Sequence, residues 1–334
     1  MEVVDVVIPT YKPDQKFLDL MKMLSLQTIK INRIIIMNTE EKYYEQLLYG
    51  KKFLEQYRNT VVYHCSKREC DHGNTRNHGV KHSQADIFIM MTQDCVPKDE
   101  YVVEHLCNAL KQDHVAVSYA RQVPNQNANK IEQFTRNFNY PDQSRIKTSA
   151  DISELGIKTY FCSNVCAAYR RDVFDQLGGF IQHTIFNEDM IFAGKAVQAG
   201  YGIAYVAEAV VTHSHSYRNR EQFRRNFDLG VSQVDNPEVF QDLPSESEGM
   251  KLVKLTAKYL VEQKQKRLLP QLFFASASKY MGFRAGKRYK KLSKKTILKY
   301  TMNPAYWEKT QLKQDRALID EKKGYGKNTE VEGE

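Results

Sequence analysis

The sequence lacks the features that would take a chain out of the cytoplasm or across a membrane. It begins with an apolar run at residues 3–8, with neither the basic residues nor the longer apolar stretch of an export signal. A spanning helix needs roughly 18 consecutive apolar residues, and the longest comparable stretch, residues 268–283, is interrupted by Pro270, Gln271 and Lys279. We therefore expect a cytoplasmic protein without a transmembrane segment.

Cysteine is present, but not in a pattern that binds zinc. The two close Cys-x-x-Cys pairs of a structural zinc site are absent. In a chain without an export signal, cysteines are typically reduced. We expect reduced and mostly buried thiols at the six positions, 65, 70, 95, 107, 162 and 166.

Negative charge is nearly absent from one block of the sequence. Residues 251–300 hold 15 lysines and arginines and a single acidic residue, Glu262, in a chain whose net charge is +9. Such a basic block favours an anionic partner, either a nucleic acid or an anionic membrane surface. A solvated helical appendage or a dimer face would have the same composition.

The first 120 residues alternate strand-like and helix-like patterns. Continuous β-branched runs predict strands buried on both faces, at 3–8, 34–37, 61–64, 87–91 and 115–119. Amphipathic stretches predict helices between them, at 17–27, at 43–57, from residue 74 onward and at 102–112. This alternation predicts an α/β fold with a mostly parallel sheet, which binds its ligands at the carboxyl ends of the strands.

The second half of the chain is less regular. Residues 123–156 are polar and predict a long loop with a partial helix at 130–138, which is a candidate lid on the acceptor side. Further elements are predicted at 160–169 and 203–212 for strands and at 171–176 and 188–199 for helices.

The pattern divides the chain into three segments. Residues 1–220 form the predicted α/β domain, and residues 221–323 form a basic helical extension with a polar break at 235–249. Residues 324–334 have the composition of a flexible tail.

Polar motifs lie at the ends of the predicted strands and at the starts of helices. Pro9-Thr10-Tyr11 follows the first strand, and Asp71-His72-Gly73-Asn74-Thr75-Arg76-Asn77 precedes a helix. Thr92-Gln93-Asp94 follows the fourth strand, and Gly178-Gly179-Phe180 leads to Asn187-Glu188-Asp189. In this order the motifs predict a site that binds a sugar nucleotide and places a general base beside it.

The ordered set resembles the inverting glycosyltransferases of family 2, which have the GT-A fold. The resemblance covers roughly residues 1–215 and rests on Pro9-Thr10-Tyr11, residues 73–77, Thr92-Gln93-Asp94, Gly178-Gly179-Phe180 and Glu188-Asp189. It implies an α/β GT-A domain, Rossmann-like and with a mostly parallel sheet flanked by helices, followed by a C-terminal helical extension.

The resemblance assigns Asp189 the role of base. Inversion requires a carboxylate that takes the proton of the acceptor hydroxyl while this hydroxyl attacks the anomeric carbon. Glu188 would then contact acceptor hydroxyls. The pair also fits a plainer interpretation, an acidic first turn that the helix dipole favours, with Asn187 as its cap.

The resemblance also implies a divalent metal, Mg²⁺ or Mn²⁺, on the donor diphosphate. Asp94 is the single carboxylate of Thr92-Gln93-Asp94, where the usual family motif is Asp-x-Asp. His213, which with His215 follows the last predicted strand, is the second implied ligand. The plainer interpretations are that Asp94 begins a turn before Pro97 and that His213 is an ordinary surface or core histidine.

Seven residues are implied to bind the nucleotide sugar. Tyr11 would lie near the base, and Asn38 stands where an aspartate often ends the second strand, with an amide that can donate and accept hydrogen bonds. Arg76 would bind the base or the diphosphate, or it is a solvated helix residue. The set is Pro9, Thr10, Tyr11, Asn38, Arg76, Gln93 and Asp94.

A narrower likeness concerns the substrates. Residues 71–77, residues 91–97 and the tail from Arg224 through Trp307 resemble rhamnosyltransferases that extend rhamnose-rich cell-wall polysaccharides. This implies transfer of rhamnose from dTDP-β-L-rhamnose to a rhamnose-containing, lipid-linked oligosaccharide. The alternatives are another donor such as a UDP-hexose, or a protein that binds a sugar nucleotide or a nucleic acid without turnover.

One family feature is missing. Processive synthases carry Gln-x-x-Arg-Trp and several membrane spans, whereas Gln222-Phe223-Arg224-Arg225-Asn226 lacks the tryptophan. We therefore expect the addition of one or a few sugars. Because lipid-linked acceptors lie in a membrane, we expect residues 251–300 to contact the inner face of the cell membrane rather than a nucleic acid, and a homo-oligomer is also compatible with this block.

Overall fold

A nine-stranded sheet with helices on both faces forms the centre of the molecule. The computed structural model describes residues 2–48, 51–67, 71–214, 217–241, 243 and 246–308. The strands are β1 (Val4–Tyr11), β2 (Arg33–Thr39), β3 (Thr60–Cys65), β4 (Ile87–Met91), β5 (Val96–Pro97), β6 (Val115–Val123), β7 (Arg145–Lys147), β8 (Cys166–Arg170) and β9 (Gly202–Thr212).

The helices precede, separate and follow these strands. In the first half they are α1 (Gln15–Ser25), α2 (Glu41–Leu48), α3 (Lys51–Gln56), α4 (His72–Lys81) and α5 (Val102–Leu110). In the second half they are α6 (Lys130–Asn139), α7 (Ile152–Leu155), α8 (Arg171–Gln176) and α9 (Glu188–Gln198). After the last strand follow α10 (Asn219–Asp235), α11 (Pro237–Phe240), α12 (Glu246–Glu262), α13 (Leu269–Gly286) and α14 (Lys294–Tyr300).

The sheet is mixed, and its order is β3-β2-β1-β4-β8-β6-β9-β5, with β7 on β9. The first four strands in this order are parallel, as are β6 and β9. Strand β8 runs antiparallel between β4 and β6. The carboxyl ends of β1, β2 and β4 therefore meet at one edge, where the polar motifs follow.

Side chains on alternate positions of the strands enter two separate cores. Val6 and Ile8 of β1 belong to the first core together with Phe17 of α1, and Val7 belongs to the second core together with Phe192 of α9. Burial on both faces explains why these strands are continuous apolar runs.

Helices α10 and α13 approach each other closely because glycines lie in their contact. A Cβ atom built on Gly282 would lie 2.1 Å from the carbonyl oxygen of Phe223, and one on Gly286 would lie 2.1 Å from that of Phe227. On the α10 side, a Cβ on Gly230 would lie 2.5 Å from the carbonyl oxygen of Phe283. The two helix backbones are thus in direct contact, and they form a rigid pair on the α/β domain.

The predicted fold class is confirmed, and some element predictions are wrong. The strand predicted at 160–169 begins only at Cys166, because a 3₁₀ turn at Gly156–Tyr160 and a polar loop occupy the rest. The helix predicted at 43–57 is two helices, α2 and α3. The polar break at 235–249 contains α11 and the start of α12, and the loop at 123–156 also contains β7 and α7. The tail at 324–334 lies outside the described residues.

Of the five cysteines within the described residues, four follow the expectation and one does not, and Cys70 lies outside the described residues. Cys95, Cys107, Cys162 and Cys166 are free and buried, whereas Cys65, half-buried at the end of β3, is disulfide-bonded. Among the helices of the described ranges, none has both the length and the apolar character that a membrane span requires.

Candidate active site

The acidic pair opens helix α9 at the bottom of a cleft. Asn187 precedes it in the left-handed conformation, with φ of 65°, which asparagine tolerates better than most residues. Its side chain does not cap the helix, in contrast to the plainer interpretation of the sequence. Its amide nitrogen instead lies 3.5 Å from the hydroxyl of Ser232 in α10, so the turn is fixed from the C-terminal helices.

Asp189 is held by two main-chain N–H groups. The N–H of Asn164 donates to Oδ2 at 3.0 Å, and the N–H of Met190 donates to Oδ1 at 2.8 Å. Desolvation and the neighbouring Glu188 charge nevertheless raise the pKa of Asp189 to about 7. A carboxylate with a pKa near neutrality is suited to accept a proton at physiological pH.

Glu188 has the opposite electrostatic environment. Burial favours its neutral form, but the positive charge of Arg76, the nearby His72 and a hydrogen bond from Asn164 lower the pKa of Glu188 overall. Its Oε1 lies 3.2 Å from Nη1 of Arg76 and accepts from Nδ2 of Asn164 at 3.2 Å. Glu188 is therefore ionised and anchored, which leaves Asp189 as the carboxyl group that titrates.

Arg76 belongs to this acidic cluster. Besides Glu188, its guanidinium donates to the carbonyl oxygen of His72 at 2.9 Å, and the side chain is buried. The structure thus brings Arg76 together with Glu188 in the cleft.

The Gly178-Gly179-Phe180 turn is clamped by Asn77 of α4. The side chain of Asn77 accepts from the N–H of Phe180 at 3.0 Å and donates to its carbonyl oxygen at 2.8 Å. Both glycines have positive φ, 79° and 73°, and a Cβ on Gly179 would lie 3.1 Å from Oδ1 of Asn77. The two motifs that were separate in the sequence are therefore one structural unit, which fixes the chain that leads to α9.

The residues of β1 and β2 that are predicted to bind the nucleotide form a chain of hydrogen bonds. Thr10 donates to Oδ1 of Asn38 at 3.0 Å, and Nδ2 of Asn38 lies 2.9 Å from Nδ1 of His64 in β3. Asn38 is fully buried, and both ends of its amide have partners within the protein. Its observed contacts tie three neighbouring strands together at their carboxyl ends.

Tyr11 and Gln93 connect the ends of β1 and β4. The side chain of Gln93 accepts from the N–H of Tyr11 at 2.8 Å and donates to its carbonyl oxygen at 3.0 Å. The ring of Tyr11 is 39% exposed, and the amino groups of Lys12 and Lys67 lie 5.4 and 5.8 Å from its centroid. Pro9 lies beside this pair in β1. An exposed aromatic ring flanked by cations is suited to a nucleotide.

The two implied metal ligands also face each other. Nε2 of His213 lies 3.6 Å from Oδ2 of Asp94. Nδ1 of His213 lies 3.0 Å from Oε1 of Gln122, and that oxygen also accepts from Arg136 at 2.7 Å. Arginine can only donate, so the atom of Gln122 that Arg136 contacts must be the amide oxygen. The same oxygen lies next to Nδ1 of His213, and Nδ1 must therefore carry a proton. In neutral His213 the lone pair is then on Nε2, which faces Asp94.

These two residues are not part of a larger metal-ligating cluster. No group of three or more histidine, cysteine or acidic side chains with metal-site geometry occurs among the residues that the structure describes. His215 lies outside them. A divalent ion needs more than two ligands, so oxygen atoms of a bound diphosphate would have to complete its coordination.

A cavity of about 530 Å³ contains the acidic pair and His213. Its other walls come from α6, from the loop that contains Ser163 and Asn164, and from α10 and α13. Thr10, Tyr11, Asn38, Gln93 and Asp94 do not line it. The predicted site residues thus form two groups, one at the strand ends and one in the cavity.

Two residues of the site were missed from the sequence. Asn164 positions both carboxylates of the pair, and Gln122 orients His213 and Arg136. Neither lies in a recognisable motif, because Asn164 acts on residues 24 and 25 positions away and Gln122 acts on residues 14 and 91 positions away. Asn164 was also assigned to a strand, whereas it lies in the loop before β8.

The comparisons agree with this geometry. The model of "Glycosyl transferase family 2" matches residues 5–178, which is more than half of the chain. The chain belongs to glycosyl transferase family 2. The resemblance inferred from the motifs is thereby confirmed, and the protein is a glycosyltransferase.

Two relatives are similar over most of their length. The O-antigen chain rhamnosyltransferase RfbN of Salmonella typhimurium is 34% identical over 94% of this chain and 99% of its own. The O-antigen chain rhamnosyltransferase WbaN of Salmonella anatum is 37% identical over 78% of this chain and 83% of its own.

A solved structure shares the fold. The mannosyltransferase PcManGT from Pyrobaculum calidifontis, in complex with GDP-Man and Mn²⁺, superimposes with a TM-score of 0.55. The match covers 91% of this chain and 84% of the other at 14% identity. At this level of identity the likeness supports the fold.

Proposed function

We propose that the protein is an inverting rhamnosyltransferase. It would transfer L-rhamnose from dTDP-β-L-rhamnose to a rhamnose-containing, lipid-linked oligosaccharide. The observation that carries the sugar assignment is the similarity, over almost the whole chain, to a relative named for O-antigen chain rhamnosyl transfer. Cell-wall polysaccharide synthesis is the process in which such an enzyme would act.

Asp189 is the proposed base. The acceptor hydroxyl oxygen forms a bond to the anomeric carbon of the donor, and its proton passes to a carboxylate oxygen of Asp189. The bond from that carbon to the diphosphate oxygen breaks, and dTDP leaves with the electron pair. Each carboxylate oxygen accepts one main-chain N–H, so each keeps a lone pair for the proton.

The remaining residues bind and orient. We propose that Pro9, Thr10, Tyr11, Asn38 and Gln93 hold the nucleotide at the strand ends. Glu188 would act mainly by raising the pKa of Asp189 and by anchoring Arg76, which in turn would lie near the donor sugar or diphosphate. These roles agree with the two groups of contacts described above.

Asp94 and His213 are the proposed ligands of Mg²⁺ or Mn²⁺. Such an ion, when bound with the diphosphate, supplies positive charge that neutralises the leaving group. The residues fit this role because a carboxylate oxygen and the unprotonated nitrogen of neutral His213 face each other at 3.6 Å. The oxygen of Gln122 fixes this tautomer of His213 by accepting the hydrogen bond from Nδ1.

The basic extension is the proposed membrane contact. Helix α13 exposes Phe273 and Phe274, which are 66% and 58% accessible, and Tyr280 and Met281 are also exposed. Apolar rings beside many lysines are typical of surfaces that lie on anionic membranes. We propose that residues 251–300 hold the enzyme against the cytoplasmic face of the membrane, where a lipid-linked acceptor would be available.

A donor comparison tests the proposal. Purified protein would be given dTDP-rhamnose, UDP-glucose or UDP-galactose with a rhamnosyl lipid acceptor, in Mg²⁺ or with a chelator. We expect turnover of dTDP-rhamnose only, a large loss with chelator, and a loss of at least 100-fold in Asp189→Asn, since general-base catalysis contributes 10²–10⁴-fold. Turnover of a UDP-hexose would support the glycosyl transfer reaction but contradict rhamnose as the donor sugar. Full activity of Asp189→Asn would contradict the role of Asp189 as the base.

A further inference from the structure

The cavity beside the acidic pair has a cationic wall. Gln222 and Arg225 of α10 and Gln271 and Lys279 of α13 line it opposite the α/β domain. The proposed nucleotide-binding residues of β1 and β2 do not line this cavity.

In an inverting reaction the acceptor attacks from the side of the anomeric carbon that faces away from the leaving diphosphate. Asp189, which would take the proton of the acceptor hydroxyl, lines the same cavity, as do Arg76 and His213, which are proposed for the donor diphosphate. We place the wall formed by α10 and α13 on the acceptor side of this shared cavity.

Arg225 is oriented by aromatic rings. The carbon of its guanidinium lies 4.6 Å from the ring centroid of Phe186 and 5.6 Å from that of Tyr217, and both rings also line the cavity. Stacking of this kind holds the guanidinium by its flat face and leaves the N–H groups at its edge directed outward. Among the described residues, no carboxylate forms an ion pair with Arg225.

Lys279 adds a second positive charge beside the first. Its side chain is half-buried in the cavity wall, and burial together with the nearby Arg225 lowers the pKa of Lys279. The two neighbouring cations form no ion pair with a carboxylate in the described part of the chain, although Glu132, Glu188 and Asp189 line other parts of the cavity. Unpaired positive charges are unfavourable in a sheltered site, and an anion bound between them would reduce this cost.

A neutral sugar does not require such a wall. Saccharide hydroxyls are bound by uncharged donors and acceptors and by carboxylates, of which the cavity has many. A phosphate group, in contrast, matches the planar donor set of an arginine and the point charge of a lysine.

We infer that Arg225 and Lys279 form an anion site that binds the phosphate or diphosphate through which the acceptor sugar is joined to its lipid. This inference rests on the proposed function. Helix α13 supports it from both faces, because Lys279 faces the cavity while Phe273 and Phe274 are exposed on the outside. One helix would thus contact both the phosphate and the membrane surface.

The site is preformed. Its two cations come from α10 and α13, whose backbones touch at Gly230, Gly282 and Gly286. The backbone positions of the two residues are therefore fixed relative to each other, so anion binding needs ordering of side chains but no movement of the helices.

The test compares two acceptors that carry the same sugar. One has the sugar on a short alkyl diphosphate, and the other is the neutral alkyl glycoside. We expect Arg225→Gln and Lys279→Gln each to raise KM for the diphosphate acceptor about tenfold, which is about 1.4 kcal/mol, because each variant removes a charge-assisted hydrogen bond to the phosphate. KM for the neutral glycoside and for the donor should not change. Lys81→Gln, which removes one charge from the exposed end of α4, is the matched control.

Other results would reject the site as described. An equal rise in KM for both acceptors would indicate a contact with the sugar or a structural defect. A rise in the KM for the donor alone would assign the two cations to the donor diphosphate. Unchanged kinetics in both variants would mean that no anion binds there.

A calorimetric titration separates this inference from the proposed function. The full chain is titrated with the alkyl diphosphate without donor. Binding by the wild type that is weakened in Arg225→Gln supports the site even if no sugar is transferred, in which case only the proposed function fails. An absence of binding in active wild-type enzyme would overturn the anion site alone.

Discussion

Two adjacent carboxyl groups, Glu188 and Asp189, have opposite electrostatic environments. Arg76, His72 and Asn164 together hold the pKa of Glu188 down in spite of its burial, whereas desolvation and Glu188 itself raise the pKa of Asp189. Environments that separate two neighbouring pKa values commonly distinguish the acid–base group of a site from its supporting group. This division supports the proposed role of Asp189 as the base that exchanges a proton.

The pH dependence of transfer follows from this division. Asp189 accepts a proton only in its ionised form, and its pKa is about 7. As the pH falls below 7, the ionised fraction, and with it kcat/KM, should fall about tenfold per pH unit, and above 7 it should approach a plateau. The measurement is kcat/KM between pH 5 and 9 with saturating donor. A profile that is flat between pH 5 and 8 would contradict the role of Asp189.

The sequence pattern singles out the candidate residues that lie in short motifs. Asp189, Glu188, Asp94 and His213 are predicted from such motifs, and the structure places Glu188 beside Asp189 and His213 beside Asp94. Their roles in catalysis and metal binding stay predictions. Asn164 could not be predicted, because it contacts the acidic pair across 24 to 25 positions of the chain. The importance of such residues depends on the path of the backbone, which no local pattern specifies.

At the level of elements, the regular part of the sheet was the predictable part. Strands β1, β2, β3 and β4 are parallel neighbours that are buried on both faces, and such strands have a strong apolar signal. Strand β7 has only three residues, and the loop before β8 mixes polar and apolar residues. The position of β7 depends on its pairing with β9, and the start of β8 depends on its pairing with β4. Neither is specified by the local sequence alone.

The glycine contact between α10 and α13 gives a prediction for stability. In Gly282→Ala the new Cβ would lie 2.1 Å from the carbonyl oxygen of Phe223, so the helices must separate. We expect the free energy of unfolding to fall by about 1–3 kcal/mol, as for other overpacked sites. Thermal or urea unfolding measures this change.

Gly249→Ala is the matched control. Gly249 lies in α12, and no atom is within 4 Å of a Cβ built on it. Alanine is favoured over glycine within a helix, so this variant should be at least as stable as the wild type. Equal stability of the two variants would mean that the contact at Gly282 is looser than described.

On the scale of the whole molecule, charge and exposed aromatic rings are concentrated at the C-terminal helices. The chain has a net charge of +9, and residues 251–300 contribute 15 of its 49 basic residues and one acidic residue. Because α13 also lines the cavity, this surface is a wall of the proposed catalytic site and not a separate appendage.

Binding to vesicles tests the proposed membrane contact. We expect the protein to sediment with vesicles that contain an anionic lipid, less so at high salt, because salt screens the lysines. Phe273→Ser combined with Phe274→Ser should weaken this binding several-fold, since two exposed rings no longer enter the interface. Tyr101→Ser, at a ring that is 46% exposed on the α/β domain, should have no effect. Equal binding to uncharged vesicles would reject the electrostatic contact.

The bond between Gln93 and Tyr11 has a consequence for how this enzyme can change. Gln93 contacts only the main-chain N–H and carbonyl oxygen of Tyr11, and it makes the same two bonds whatever side chain stands at position 11. These main-chain bonds are therefore independent of the Tyr11 ring, which packs 5.6 Å from the ring of Tyr43 and is proposed to face the nucleotide. Position 11 is a place where natural variation or a mutant library can alter ligand preference while the fold stays intact.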